Sequence, residues 1–189
     1  NYTVHIRSPI AIYSYFRFGF CIFVQTQPGK MDLFDIADEN GRKAWKILEQ
    51  TGIIPLWESI GAEVRVVGSL RTGLMMNSLD IDLHVYTDRV SVGESFRVME
   101  RIAALPGVGE ILYKNGLDTE EECIEWHLWY DHPEGERWKF DMIHIRRGSR
   151  YDGAVEKTTE AIRRKLTLET REAILRIKSA IPVGGTVPG

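Results

Sequence analysis

Cysteine is scarce in this chain of 189 residues, which carries only Cys21 and Cys123. Two thiols so far apart exclude a disulfide framework and a cysteine zinc site, and they fit a reduced, cytoplasmic setting. A basic surplus is missing too. The net charge of −3 speaks against a strongly basic nucleic-acid-binding domain. No apolar run is long enough to span a bilayer: Ile10–Val24 covers 15 residues and is interrupted by Ser14, Arg17 and Gly19. The same run lacks the small-residue cleavage site of a secretory signal, so no membrane association is expected. There is no internal repeat, heptad run or Walker-type glycine-rich loop, and no histidine has zinc-ligand spacing. What is present, 43% hydrophobic and 27% charged residues, suffices for one globular domain with a substantial core.

Acidic residues are absent from one place in particular. None of the 27 Asp and Glu lies in residues 1–30, which hold Arg7, Arg17, Lys30 and seven of the 19 aromatics. The remainder carries 21 basic against 27 acidic residues, a net charge of −6. Three segments are therefore expected. Residues 1–30 form an atypical N-terminal extension, read as strands added to a sheet edge or as a segment preceding a natural start at Met31. Residues 31–181 form the domain, and 182–189 a flexible tail.

Within the domain, hydrophobic periodicity predicts a helix over Asp38–Gln50 stopped by Gly52, and a short helix opening at Pro55. It also predicts a strand over Glu63–Val67, a helix over Ser69–Met76 and a period-2 strand over Leu79–Tyr86. A helix capped by Ser91 follows, then a strand over Gly109–Lys114. Cys123–Tyr130 and Trp138–Ile145 make a hairpin, and Ala154–Ala180 holds one or two helices meeting near Thr167. This order predicts an α+β fold, a mixed β-sheet with flanking helices.

The chemistry concentrates in Val66–Tyr86, VVGSLRTGLMMNSLDIDLHVY, and in the later strand WKFDMIHI. Asp80 and Asp82 stand two apart on a strand, so both carboxylates leave the same sheet face, and Asp141 interrupts another apolar strand. Acids in such strands are costly without compensation. Unit charges about 5 Å apart repel by roughly 3 kcal/mol at an effective dielectric near 20, which a cation or proton uptake relieves. Hard oxygen ligands grouped this way suit Mg²⁺ or Mn²⁺, ions that recruit substrate phosphates. Gly68-Ser69 supplies a phosphate half: glycine permits close backbone approach, and Ser69 offers its N–H and hydroxyl at a helix start.

This pattern resembles the nucleotidyltransferase superfamily of DNA polymerase beta type, whose signature is an apolar strand, Gly-Ser, a spacer of about ten residues, Asp-x-Asp in a strand and a third acid in a later strand. Here ten residues separate Gly68-Ser69 from Asp80-Ile81-Asp82, Asp141 takes the third position, and Arg71-Thr72-Gly73 nearly matches the Arg-Gly of small stand-alone members. The resemblance spans Val64–Ile145. It implies transfer of a nucleoside monophosphate from a nucleoside triphosphate to an acceptor hydroxyl on a small molecule, protein or tRNA end. Asp80, Asp82 and Asp141 would be the catalytic, metal-binding acids, Gly68 and Ser69 the phosphate-binding turn, and Arg71 or Lys139 a charge on the pyrophosphate. Members acting on antibiotics or tRNA carry a larger helical domain after the sheet, so a partner chain or homodimer interface would complete this cleft. The competing function is a non-catalytic, antitoxin-like regulatory protein on the same fold.

Other residues have plainer readings. Asp118 and Asp131 compete with Asp141 as the third acid. His84 shares the face of Asp80 and Asp82 but fits a structural histidine, and Trp126, Trp129, Tyr130 and Trp138 fit cross-strand packing. Arg146, Arg147 and Arg150, and Arg163, Arg164 and Lys165, form basic patches that fit a solvated surface.

Overall fold

A computed structural model describes residues 32–182. The expectations for residues 1–30, and for the tail beyond Pro182, lie outside the described residues. In chain order the elements are α1 (Leu33–Thr51), α2 (Ile53–Glu58), β1 (Glu63–Val66), α3 (Gly68–Thr72), β2 (Asp80–Thr87), α4 (Val92–Ala103), β3 (Val108–Asn115), β4 (Cys123–Asp131), β5 (Arg137–Arg146), α5 (Ala154–Lys165) and α6 (Leu168–Ser179). Among these residues no helix is long and apolar enough to cross a membrane.

Local chemistry accounts for the boundaries. α1 buries Ala37, Ala44, Ile47 and Leu48 at helical spacing and ends where Gly52 turns left-handed, its N–H donating to the Leu48 carbonyl. The Ser91 hydroxyl accepts from the Glu94 N–H to open α4, and Thr167 and Thr170 form a reciprocal cap that separates α6 from α5.

One predicted element is shorter than expected. The helix read over Ser69–Met76 is a single turn, stopped at Gly73 with φ 71°. The cause is packing: Met75 enters the main core, whereas Leu74 and Met76 enter a second cluster with Ala37 and Leu175. Successive residues that pack into different clusters require extended chain, and tertiary burial overrides helical propensity.

The sheet has strand order β1-β2-β5-β4-β3, with β2 and β5 parallel and every other pair antiparallel. One face carries Ile81, Leu83 and Val85 of β2, Trp138, Phe140 and Met142 of β5, and Trp126 and Leu128 of β4. These join Ile47, Trp57 and Ile102 of α1, α2 and α4 in the principal core. The other face carries the alternate residues, among them Asp80, Asp82, Lys139 and Asp141, and is only partly roofed by α3, α5 and α6.

A buried imidazole on the core side sets an acid limit on this fold. His144 is 1% exposed, packed edge-on against Trp57, with Nε2 2.8 Å from the Thr87 hydroxyl and Nδ1 3.4 Å from that of Ser95. Burial pushes its pKa down to about 4 from 6.5. A depressed histidine contributes stability that is complete above the unfolded pKa and is lost as pH falls from 6.5 towards 4, by about 3 kcal/mol in all. Urea unfolding at pH 7.0 and 4.5 should show this loss, with His144→Gln less stable at pH 7.0 but losing less on acidification. Equal losses in the two proteins would assign the acid limit elsewhere.

Candidate active site

Parallel pairing of β2 with β5 sets Asp82 directly beside Asp141 and Asp80 beside Lys139. A pair of acids two residues apart and a third about sixty residues later thus occupy neighbouring positions on one sheet face. Asp131 lies elsewhere, exposed at the end of β4 near Arg137, and Asp118 is exposed on the β3–β4 connection.

The turn after β1 is pressed onto this acid group. Gly68 has φ 65°, and a Cβ built there would lie 2.1 Å from Asp82 Oδ2 and 2.8 Å from Asp82 Cγ. Only a residue without a side chain fits, so the glycine that follows the first strand and the second acid form one geometric unit. Val67 N–H donates to the Asp82 carbonyl at 3.0 Å, fixing the turn against β2.

Two subsites meet at Asp82. On one side a cavity of about 170 Å³ is lined by Ser69, Asn77, Ser78, Asp80, Asp82 and Lys178. On the other a cleft of about 330 Å³ is lined by Gly68, Asp82, His84, His127, Asp141 and Val155, among others. Burial is the main force raising the Asp82 carboxyl to about 6, with Asp141 and Asp80 adding repulsion and Lys139 and Lys178 partly offsetting it. Asp80 is raised in the same direction, again chiefly by burial.

The cations present are lysines. Lys178, in the last turn of α6, donates to the Ser69 hydroxyl at 2.7 Å. Burial lowers its pKa, opposed by the charges of Asp82 and Asp80. Asn77 bonds the carbonyls of Ser179 and Ile181, both at 2.9 Å, which anchors the end of α6 here. Lys139 Nζ lies 2.8 Å from Asp141 Oδ1 and 5.8 Å from the centre of the Trp129 ring. Asp141 Oδ1 also meets His127 Nδ1 at 2.5 Å, and His127 Nε2 lies 3.3 Å from Glu125.

Arg71 is placed differently from the other sequence-selected residues. Its guanidinium binds Glu160 of α5, at 2.9 and 3.1 Å, and lines a separate cavity with Trp45 and Arg65. Lys178 and His127, by contrast, had no local signal. Lys178 lies in an ordinary amphipathic helix almost a hundred residues from Asp80, and His127 becomes meaningful only through the β4–β5 register that sets it opposite Asp141.

The donor set fits a divalent ion. Half-buried carboxylates that repel one another on one face favour a bound cation. Two tighter triplets among the described residues, Glu121–Cys123–Glu125 and His132–Glu134–Glu136, fit less well. Lys114 bridges Glu121 and Glu125, Lys43 binds Glu136, and burial beside acids pushes the Cys123 thiol up to about 11, away from the thiolate a metal needs.

Comparison with solved structures identifies the fold. Cid1 poly(U) polymerase with MgGTP bound matches with a TM-score of 0.57 at 22% identity, over 76% of this chain and 42% of that one. It has the nucleotidyltransferase fold of DNA polymerase beta type. A cytoplasmic RNA terminal U-transferase matches with a TM-score of 0.54 at 21% identity, over 76% of this chain and 40% of that one. The GLD-2/RNP-8 complex gives 0.56 at 12% identity, over 77% and 57%. This chain therefore spans about two-fifths of the first two structures. No protein-family model matches it, and no curated protein does.

Proposed function

We propose that this protein is a metal-dependent nucleotidyltransferase that moves a nucleoside monophosphate from a nucleoside triphosphate to an acceptor hydroxyl. The observation that carries the reading is the junction of Gly68, Asp82 and Asp141: a glycine turn packed onto the middle acid, with the third acid in register beside it. A divalent ion held by Asp80, Asp82 and Asp141 would neutralise charge on the triphosphate and lower the pKa of the attacking hydroxyl.

The chain's own residues divide the remaining work. Ser69 and Lys178 face the 170 Å³ side and suit the β- and γ-phosphates, with Lys178 leaving the Ser69 hydroxyl for the anion. Lys139 lies between Asp141 and Trp129 and suits the charge that develops as the bond between the α- and β-phosphates breaks. The acceptor oxygen attacks the α-phosphorus from the cleft on the Asp141 side, pyrophosphate leaves, and the hydroxyl proton departs past the Asp141 carboxylate. Arg71 takes no part while Glu160 holds it.

Binding of fluorescent nucleoside triphosphates with Mg²⁺ or Mn²⁺ tests the first half of this reading. Wild type should bind, and Lys178→Ala should weaken binding by about tenfold or more, the loss expected for one charge-assisted contact. Absence of binding by wild type with either metal would reject the function. Because the fold neighbours include RNA terminal transferases, a short RNA with a free 3′-hydroxyl belongs in the acceptor panel.

A further inference from the structure

The cleft on the Asp141 side does not end at the acids. It opens into a recess of about 210 Å³, with which it shares His84, Ile143 and Val155. Ile145, Cys123 and Tyr151 complete the recess walls, and Tyr86, Cys123 and Ile145 form a small apolar cluster there, joined by Ile143 and Tyr151. Together the two spaces fall in the range of a few hundred Å³ typical of small-ligand sites.

Most of the polar groups facing this space are acceptors. His84 is 7% exposed, and its Nδ1 lies 3.0 Å from Glu156 Oε1, which also accepts from the Tyr86 hydroxyl at 2.6 Å. Nδ1 therefore carries the hydrogen, and Nε2, which has no partner among the described residues, presents a lone pair. Glu121 and Glu125 stand at the rim and share one cation, Lys114, at 3.2 and 2.7 Å. The Tyr151 hydroxyl, the nearby donor, is already committed to the Glu120 carbonyl at 2.9 Å. Beyond the rim, Asp118, Glu120 and Glu122 are exposed on the β3–β4 connection, where the Arg150 guanidinium donates to the Glu120 carbonyl.

We propose that this recess is the acceptor subsite of the enzyme, and that it takes a small hydroxyl compound with an apolar body and a cationic amine. The proposal rests on the nucleotidyltransferase reading above. Apolar walls take the body, and the carboxylates and the His84 lone pair take the N–H donors. A phosphodiester chain meets a rim of carboxylates here, whose nearby cations, Lys114 between Glu121 and Glu125 and Arg150 over the Tyr151 ring, are already engaged, so a nucleic-acid acceptor is disfavoured by repulsion.

Phenylalaninol, a primary aliphatic amine with a benzyl group and a primary hydroxyl, is a suitable probe. Titrated into methyl-labelled full-length protein, it should shift the Ile143 and Ile145 methyl signals, with N-acetylphenylalaninol binding at least tenfold more weakly. Val155→Trp, which fills the shared wall, and Glu121→Lys, which reverses a rim charge, should each weaken phenylalaninol at least tenfold. Glu121→Lys, which lies outside the cleft of the acids, should leave Mg²⁺–nucleoside triphosphate binding within twofold of wild type. Undiminished affinity in both variants, or for the acetylated compound, overturns the proposal. So does a 3′-hydroxyl RNA oligonucleotide that shifts the same methyls and is displaced by Val155→Trp. Triphosphate binding without any phenylalaninol binding overturns the subsite alone, whereas phenylalaninol binding without triphosphate binding overturns the transferase reading and the acceptor role with it.

Discussion

Asp82→Asn should abolish nucleotidyl transfer while raising the melting temperature of the metal-free protein. The two effects share a cause. Burial and the neighbouring carboxylates hold the Asp82 carboxyl near 6 against an ordinary 3.8. A carboxyl raised in the folded state destabilises it by an amount that is complete above pH 6 and vanishes as pH falls to the unfolded value, here about 3 kcal/mol. Asparagine has nearly the same shape and no charge, so the penalty disappears. Part of the gain is lost in rearranged hydrogen bonds, leaving a rise on the order of 5 °C at pH 7.5 for a domain of this size. The gap between the proteins should close as pH falls from 7 to 4, because wild-type Asp82 then takes up its proton. Mg²⁺ should stabilise wild type through mass action and leave the variant nearly unmoved. The turnover number should drop by about 10³-fold or more, since the charge complementary to the cation is gone. Scanning calorimetry with and without Mg²⁺, alongside a radiolabelled transfer assay, checks both halves. A variant that melts below wild type, or that keeps a tenth of its activity, contradicts this account.

The alternation that makes these acids costly also made the candidate site stand out in the sequence, while much of its surroundings did not. Asp80 and Asp82 alternate with Ile81 and Leu83, so a local period-2 pattern places both acids on one face. Gly68-Ser69 follows an apolar strand, so the turn is local as well. Asp141 was recognisable as an acid inside an apolar strand, but its place beside Asp82 depends on parallel pairing across a long crossover, which no local pattern encodes. Lys178 and His127 lie beyond the same horizon: each reaches the acids through tertiary packing, from α6 and from β4. Arg71 shows the opposite limit. It follows the glycine-serine turn closely in sequence, yet one turn of helix aims it at Glu160 on α5. The fold class followed from the order of periodic segments. The overlong reading of α3 arose because Leu74, Met75 and Met76 look helical by composition and are extended by burial.

Gly68→Ala tests the geometric unit at the centre of the site. Alanine at φ 65° carries a backbone cost of about 1–2 kcal/mol wherever it occurs. The larger expense is local, because the new methyl carbon would stand 2.1 Å from Asp82 Oδ2. Relief requires that the Asp82 carboxylate rotate away, or that α3 lift from β2 and carry Ser69 with it. Either movement separates the acid from the glycine-serine turn. The expected loss is about 2–4 kcal/mol of stability, together with a fall in transfer activity of about 10²-fold or more, since displacement of reacting groups by an ångström is enough for that. A double-mutant cycle divides the two costs. In an Asp82→Ala background the nearest remaining atom, Cβ, is 3.2 Å from the built position, so the backbone cost and a small residual crowding should persist and Gly68→Ala should be milder by at least about 1 kcal/mol. If urea denaturation gives the same penalty in both backgrounds, the glycine serves the turn alone, and the close approach to Asp82 is not what requires it.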